Sequence, residues 1–233
     1  MPEVFFNGPS GRIEGKYTQS QDKKARVVLV LHPHPLYGGT MNNKVVYSMY
    51  KTFVENNFTT LRINFRGVGR SQGQFDNGVG ELTDAATAID WLQLHNPFSS
   101  GYWIAGFSFG AWIAMQLIMR RPEISNFIAV SPPVNKYDFG FLSPCPIPGL
   151  VMQGNQDSVV PEESVLELME RLSKQKQSRV EYKAIYGGDH FFRLKLPELE
   201  QALGEYVMEK PDMRTSLESN VKTSKARQPI LLD

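Results

Sequence analysis

The sequence predicts an α/β protein, a mostly parallel sheet with helices on both faces, preceded by an antiparallel N-terminal hairpin. Short apolar runs alternate along the chain with segments whose apolar residues recur at spacings of three and four, the pattern of strands alternating with helices. Arg26 to Leu31 is a continuous run of β-branched and apolar residues, as expected of a strand covered on both faces. The stretches rich in Gly, Pro and polar residues follow the apolar runs, where open parallel sheets gather their chemistry.

Two extended segments between Val4 and Gln19, separated by Asn7-Gly8-Pro9-Ser10-Gly11, form the hairpin, which belongs at a sheet edge. Arg26 to Leu31 empties into His32 to Thr40, too rich in Pro and Gly for regular structure. Asn42 or Asn43 caps a helix with Val46, Met49, Tyr50 and Phe53 on its inner face. The next strand spans Phe58 to Phe65, and after the loop Arg66 to Gly73 a helix starting near Glu81 turns Leu82, Ala85, Ala86, Ile89 and Leu92 inward. Tyr102 to Ala105 reads as a strand, and Ala111 to Met119, apolar nearly all round, as a helix buried against the sheet. Phe127 to Val130 and Gly149 to Met152 are strands. Pro161 suits the first turn of a helix that buries Val165, Leu168, Met169 and Leu172. The last strand is Val180 to Tyr186, and the last helix is Leu196 to Glu209, entered at Pro197. Beyond Lys210 the composition turns polar, so residues 1–210 read as a single domain and 211–233 as a flexible tail.

With 233 residues and 41% hydrophobic content the chain can build one sizeable core. Its 25 Lys and Arg against 24 Asp and Glu set up no field that would steer nucleic acid or an anionic membrane. The single cysteine, Cys145, excludes an internal disulfide; flanked by prolines, it reads as a small apolar residue entering a strand. Met1-Pro2-Glu3-Val4 lacks the charged and apolar regions of a signal peptide, and no apolar run approaches a membrane span. The expectation is a cytoplasmic protein with a small-molecule substrate and no nucleic-acid or membrane partner; homo-oligomer formation is left open.

The chemistry centres on Gly106-Phe107-Ser108-Phe109-Gly110, a serine between two glycines after an apolar run and before a helix. A serine hydroxyl is a poor nucleophile and must be lifted out of the sheet on a tight strand-to-helix turn, where a base can reach its proton. Of the four histidines, His190 fits as base, in Gly187-Gly188-Asp189-His190 directly after the final strand, whereas His95 ends an amphipathic helix. Asp157, in the loop after the strand Gly149 to Met152, is the candidate acid; Asp189 is too close in sequence to curl back onto the imidazole and fixes its loop instead. The order Ser108, Asp157, His190 is that of α/β-hydrolases.

Charge developing on a carbonyl oxygen needs two N–H donors. One is Phe109; the other comes from the loop after the central strand, where Pro33 and Pro35 have none, leaving His34, Leu36 or Tyr37, with His34 favoured by its position after His32 and Leu36 second. His32 reads as a hydrogen-bonded scaffold residue. The His-x-His pair lacks a third ligand for a metal, so none is expected. Arg66-Gly67-Val68-Gly69-Arg70 misses the spacing of the nucleotide fingerprints and reads as a tight loop whose arginines are held by nearby acids.

Through His32-Pro33-His34-Pro35, Gly38 to Lys44, Asn64 to Ser71, Gly106 to Gly110 and Gly188-Asp189-His190-Phe191-Phe192, the chain resembles the α/β-hydrolase superfamily, in particular small bacterial members related to dienelactone hydrolase and carboxylesterases. The resemblance covers Val4 to about Lys210. It implies an eight-stranded sheet, the triad just argued, and no cofactor or metal. Dienelactone relatives carry a cysteine nucleophile where this chain has Ser108, which shifts the expectation to plain ester or thioester hydrolysis. Many members insert a helical lid where this chain has only Val134 to Pro148, so no substantial lid is expected. An open site edged by Leu36, Tyr37, Tyr137, Phe139, Phe141, Phe191 and Phe192 follows. The expected activity is cleavage of a carboxylic ester of a small or flexible acyl group through an acyl-serine. A thioesterase or peptidase-like acyl hydrolase on the same triad, or a catalytically silent binding module, is the alternative.

Overall fold

The computed structural model describes residues 2–176 and 178–210; the tail expected over 211–233 lies outside the described residues. The elements are β1 (Glu3–Gly8), β2 (Gly11–Thr18), β3 (Val27–Leu31), α1 (Lys44–Glu55), β4 (Thr59–Ile63), α2 (Val79–His95), β5 (Tyr102–Phe107), α3 (Phe109–Leu117), β6 (Ile124–Val130), β7 (Gly149–Gly154), α4 (Glu162–Ser173), β8 (Val180–Ile185) and α5 (Leu196–Glu209). They form one sheet in the order β1-β2-β4-β3-β5-β6-β7-β8. The β1–β2 hairpin joins antiparallel to β4, and every later pairing is parallel, with Val28 of β3 set between Thr60 of β4 and Trp103 of β5.

Period-2 alternation divides the core. Val27, Leu29 and Leu31 face the side covered by α2, α3 and α4, while Val28 and Val30 face α1 and α5. All five residues of β3 are buried, as its uninterrupted apolar run requires. Burying such a Val or Leu side chain contributes about 1.5–3 kcal/mol, so the central strands anchor the loops at their carboxyl ends.

The boundaries depart from the sequence pattern for local reasons. Phe58 and Phe65 are buried but lie outside the β4 ladder, because the Phe58 N–H donates to Phe53 O at 3.0 Å and the Phe65 N–H to His32 Nε2 at 3.0 Å instead of to a strand. Helix α2 begins at Val79, two residues early, because the Glu81 carboxylate reaches back to accept the Gly78 N–H at 2.8 Å. Pro161 is the N-cap of α4 and not its first turn: its ψ of 136° is extended, although its carbonyl already accepts the Ser164 N–H. Ala86 and Met169 are only partly buried, and Cys145 lies in the loop before β7 rather than at the start of a strand.

The arginine loop is tied down by acids. Arg66 grips Asp84 through Nε and Nη2 at 3.0 and 2.8 Å, and Arg70 pairs with Glu14 at 3.2 Å and with Glu3.

Candidate active site

Ser108 sits where β5 turns into α3, with φ 53° and ψ −119°, a left-handed conformation that costs a non-glycine residue about 1–3 kcal/mol. The turn is held by the Ser108 N–H donating to Val130 O at 2.8 Å and by its carbonyl accepting from Ala111 N at 2.9 Å. Both flanking glycines are sterically required. A Cβ on Gly106 would collide with the Gly110 carbonyl, and one on Gly110 would come within 2.6 Å of the His32 and Leu31 carbonyl oxygens.

Asp157 and His190 come from the loops after β7 and β8, stitched together by Gln156 N–H to Gly188 O at 2.9 Å and Gly187 N–H to the Asn155 side chain at 2.7 Å. His190 Nδ1 meets Asp157 Oδ2 at 2.8 Å, with both side chains buried. The other Asp157 oxygen accepts the N–H groups of Val159 and Val160, each at 2.8 Å. Burial alone would raise the Asp157 pKa, but the His190 hydrogen bond and these two N–H groups outweigh it and hold the carboxyl below its ordinary value. An ionised Asp157 fixes the proton on His190 Nδ1, leaving Nε2 to accept one.

His190 and Ser108 line the same cavity of about 570 Å³, together with Pro33, His34, Tyr37, Tyr137 and Phe191. As the first residue of α3, Phe109 has no helical acceptor for its N–H. In the opposite loop the Leu36 N–H is taken by His34 Nδ1 at 3.2 Å and the Tyr37 N–H by His34 O at 3.1 Å. The His34 N–H has no acceptor among the described residues. Leu36 is therefore corrected as an anion donor, and its side chain points to solvent.

Phe139 and Phe192 are corrected as well. Both are buried in the two halves of the core, Phe139 with Leu142 and Phe192 with Phe107, and neither lines the cavity. Pro133, Lys136, Val159, Val160 and Asn43 line it instead, and no local pattern marks them because they converge from separate loops. His32 is fully buried, its Nδ1 bonded to Pro33 O at 2.6 Å, and desolvation pushes its pKa down to about 4, so it is a neutral brace. His95 stacks on Trp91, and Asp189 accepts the Arg193 N–H at 2.9 Å, both apart from the Asp157–His190 pair.

Gln153, the fifth residue of β7, escaped the sequence reading because the apolar run ends at Met152 and a glutamine after it looks like part of the loop. It is fully buried and donates through Nε2 to Asp157 Oδ2 at 3.1 Å and to Val160 O at 2.8 Å. Gln153→Ala is expected to lower kcat about tenfold with KM nearly unchanged, because the acid is loosened while the cavity wall is not touched. Steady-state kinetics on a chromogenic ester would show this; a rise in KM alone would place Gln153 in substrate binding.

The model of the X-Pro dipeptidyl-peptidase family (S15) matches residues 19–143, more than half of the chain. An uncharacterized protein of Rickettsia prowazekii is 59% identical over 212 residues, 89% of each sequence. Among solved structures, a protein of unknown function from Agrobacterium tumefaciens described as a candidate alpha/beta hydrolase superposes with a TM-score of 0.86 at 52% identity, covering 88% of this chain and 94% of its own. An α/β serine hydrolase without a lid from Xanthomonas campestris superposes with a TM-score of 0.80 at 31% identity, covering 89% and 93%. Here too only irregular chain and one 3-10 turn, Gly140–Leu142, separate β6 from β7. Sheet order, elbow and sequence matches agree: the chain belongs to the α/β-hydrolase superfamily and, by the model spanning residues 19–143, to its S15 family.

Proposed function

We propose that the protein is a serine hydrolase that cleaves a carboxylic ester of a small or flexible acyl group through an acyl-Ser108 intermediate. The observation that carries this reading is the buried Asp157–His190 pair, at 2.8 Å, opening onto the cavity that Ser108 also lines. His190 Nε2 takes the Ser108 proton as Oγ attacks the ester carbonyl, and the Phe109 and His34 N–H groups receive the oxyanion. The alcohol leaves with the proton from His190; a water then gives its proton to His190 and attacks the acyl-serine, and His190 returns that proton to Ser108 Oγ as the acid is released. The chemistry draws on side chains and backbone alone. The absence of a lid and the rim of Tyr37, Tyr137 and Phe191 support broad acceptance of acyl groups.

The S15 match favours a second reading, cleavage of an amide after proline, on the same residues. Short-chain p-nitrophenyl esters, acyl thioesters and an Ala-Pro p-nitroanilide assayed side by side distinguish the two. Esters are expected to turn over fastest; faster anilide turnover would establish the peptidase. A fluorophosphonate is expected to label Ser108, and folded protein that resists labelling would be a silent binding module. Among the described residues no helix is long and apolar enough to cross a membrane. The cytoplasm is the proposed setting, on the strength of the lone buried Cys145.

A further inference from the structure

The charged side chain at the mouth of this cavity is a cation. Lys136, on the segment between β6 and β7, lines it beside His34 and Tyr137, and no carboxylate does. Asp138, two residues on, is turned aside: its Oδ1 accepts the Gly140 N–H at 2.8 Å. The Lys136 ammonium has no ion pair or hydrogen bond among the described residues, whereas Arg66, Arg121 and Lys210 each hold a carboxylate. A second hollow of about 290 Å³ shares Asn43 and Phe191 with the cavity and adds two more cations, Lys44 and Arg193, of which Arg193 faces Asp189 at 3.6 Å.

His34 complements Lys136. Its Nδ1 accepts the Leu36 N–H, so in the neutral ring the proton sits on Nε2. Burial, reinforced by the Lys136 charge, holds the His34 pKa below its usual value, which keeps the ring neutral and makes it a donor beside an ammonium. Beside the catalytic groups and Asn43, the cavity wall thus carries one full positive charge and one neutral imidazole N–H donor, suited to a monoanion.

We infer that the substrate is an ester that also bears a carboxylate, and that Lys136 meets this carboxylate while the scissile carbonyl lies at Ser108. This rests on the ester reading above and names the substrate class within it. A single ammonium neutralises one carboxylate; a phosphate monoester, with nearly two charges, would be left half unpaired. Because Lys136 is exposed, the preference it confers is moderate and weakens with salt.

The test compares kcat/KM for esters matched except in charge. p-Nitrophenyl butyrate against p-nitrophenyl hemisuccinate places the carboxylate on the acyl side, and phenyl acetate against 3-acetoxybenzoate places it on the leaving group. In one of the two pairs the charged-to-neutral ratio is expected to fall about fivefold to tenfold in Lys136→Met, mainly through KM. It should fall further in Lys136→Glu, survive in Lys136→Arg, and shrink in wild type as salt is raised. A ratio that Lys136→Glu leaves unchanged in both pairs, while the neutral esters still turn over, overturns this inference alone. Failure of the wild type to hydrolyse any of the four esters overturns the ester reading and this inference with it.

Discussion

Replacing Ser108 by Ala is expected to lower kcat on esters by at least about 10⁴-fold while leaving the protein folded. The hydroxyl makes no hydrogen bond among the described residues, and the turn is held by backbone groups that alanine retains, so no stabilising contact is lost. Glycine separates the two roles of the position more sharply. At φ 53° and ψ −119° a side chain is strained, and removing it relieves about 1–3 kcal/mol, less the entropy glycine restores to the unfolded chain. Ser108→Gly should therefore be inactive and yet more stable than wild type, by about 1 kcal/mol in urea denaturation. Residual turnover above a tenth of wild type in Ser108→Ala would place the nucleophile elsewhere, and a loss of stability in Ser108→Gly would show that the elbow is not strained.

Asp157→Asn is expected to cost about 10⁴-fold in kcat through an error of donors. The carbonyl oxygen of the new amide can keep the Val159 and Val160 N–H bonds, but its NH₂ group then faces His190 Nδ1 and Gln153 Nε2, both donors toward the wild-type carboxylate. His190 escapes the clash by moving its proton to Nε2, which removes the base from Ser108, and Gln153 is left short of an acceptor at about 1–3 kcal/mol. The same carboxylate links stability to pH. Its folded pKa is depressed, so its contribution is fully present above the unfolded value of about 3.9 and is lost as pH falls through the lower folded value. The stability gap between wild type and Asp157→Asn should accordingly narrow on acidification below about pH 4. A gap independent of pH would mean that Asp157 is not the carboxylate held ionised by its neighbours.

The elements that could be read from the chain are those in which a local pattern has one physical cause. The uninterrupted apolar run of β3, the spacing of Val46, Met49 and Phe53 in α1, and the glycines around Ser108 each state a burial or a close approach directly, and each element stands where it was expected. Asp157 and His190 were legible because strand ends in a parallel sheet share one edge. What escaped depends on three-dimensional convergence. The rim assigned to Phe139 and Phe192 failed because an aromatic residue in a loop can equally well turn inward, and both do. Gln153 and Lys136 carry no local signature at all: one is an amide within a buried strand, the other a lysine in an irregular segment, and only their neighbours give them meaning.

The position of β8 has a consequence for how the protein loses its activity. Ser108 hangs from the middle of the sheet, braced by strands on both sides, but His190 follows β8, which among the described residues lies at the sheet edge, pairs only with β7 and alternates partly buried with exposed residues until Ile185. Edge elements open at a smaller free energy than the sheet interior. Peeling β8 away would withdraw the imidazole and leave the elbow intact. Heat inactivation is thus expected to start at this margin rather than in the core, and stiffening that outer ladder to extend the working range of the molecule without changing any residue of the cavity.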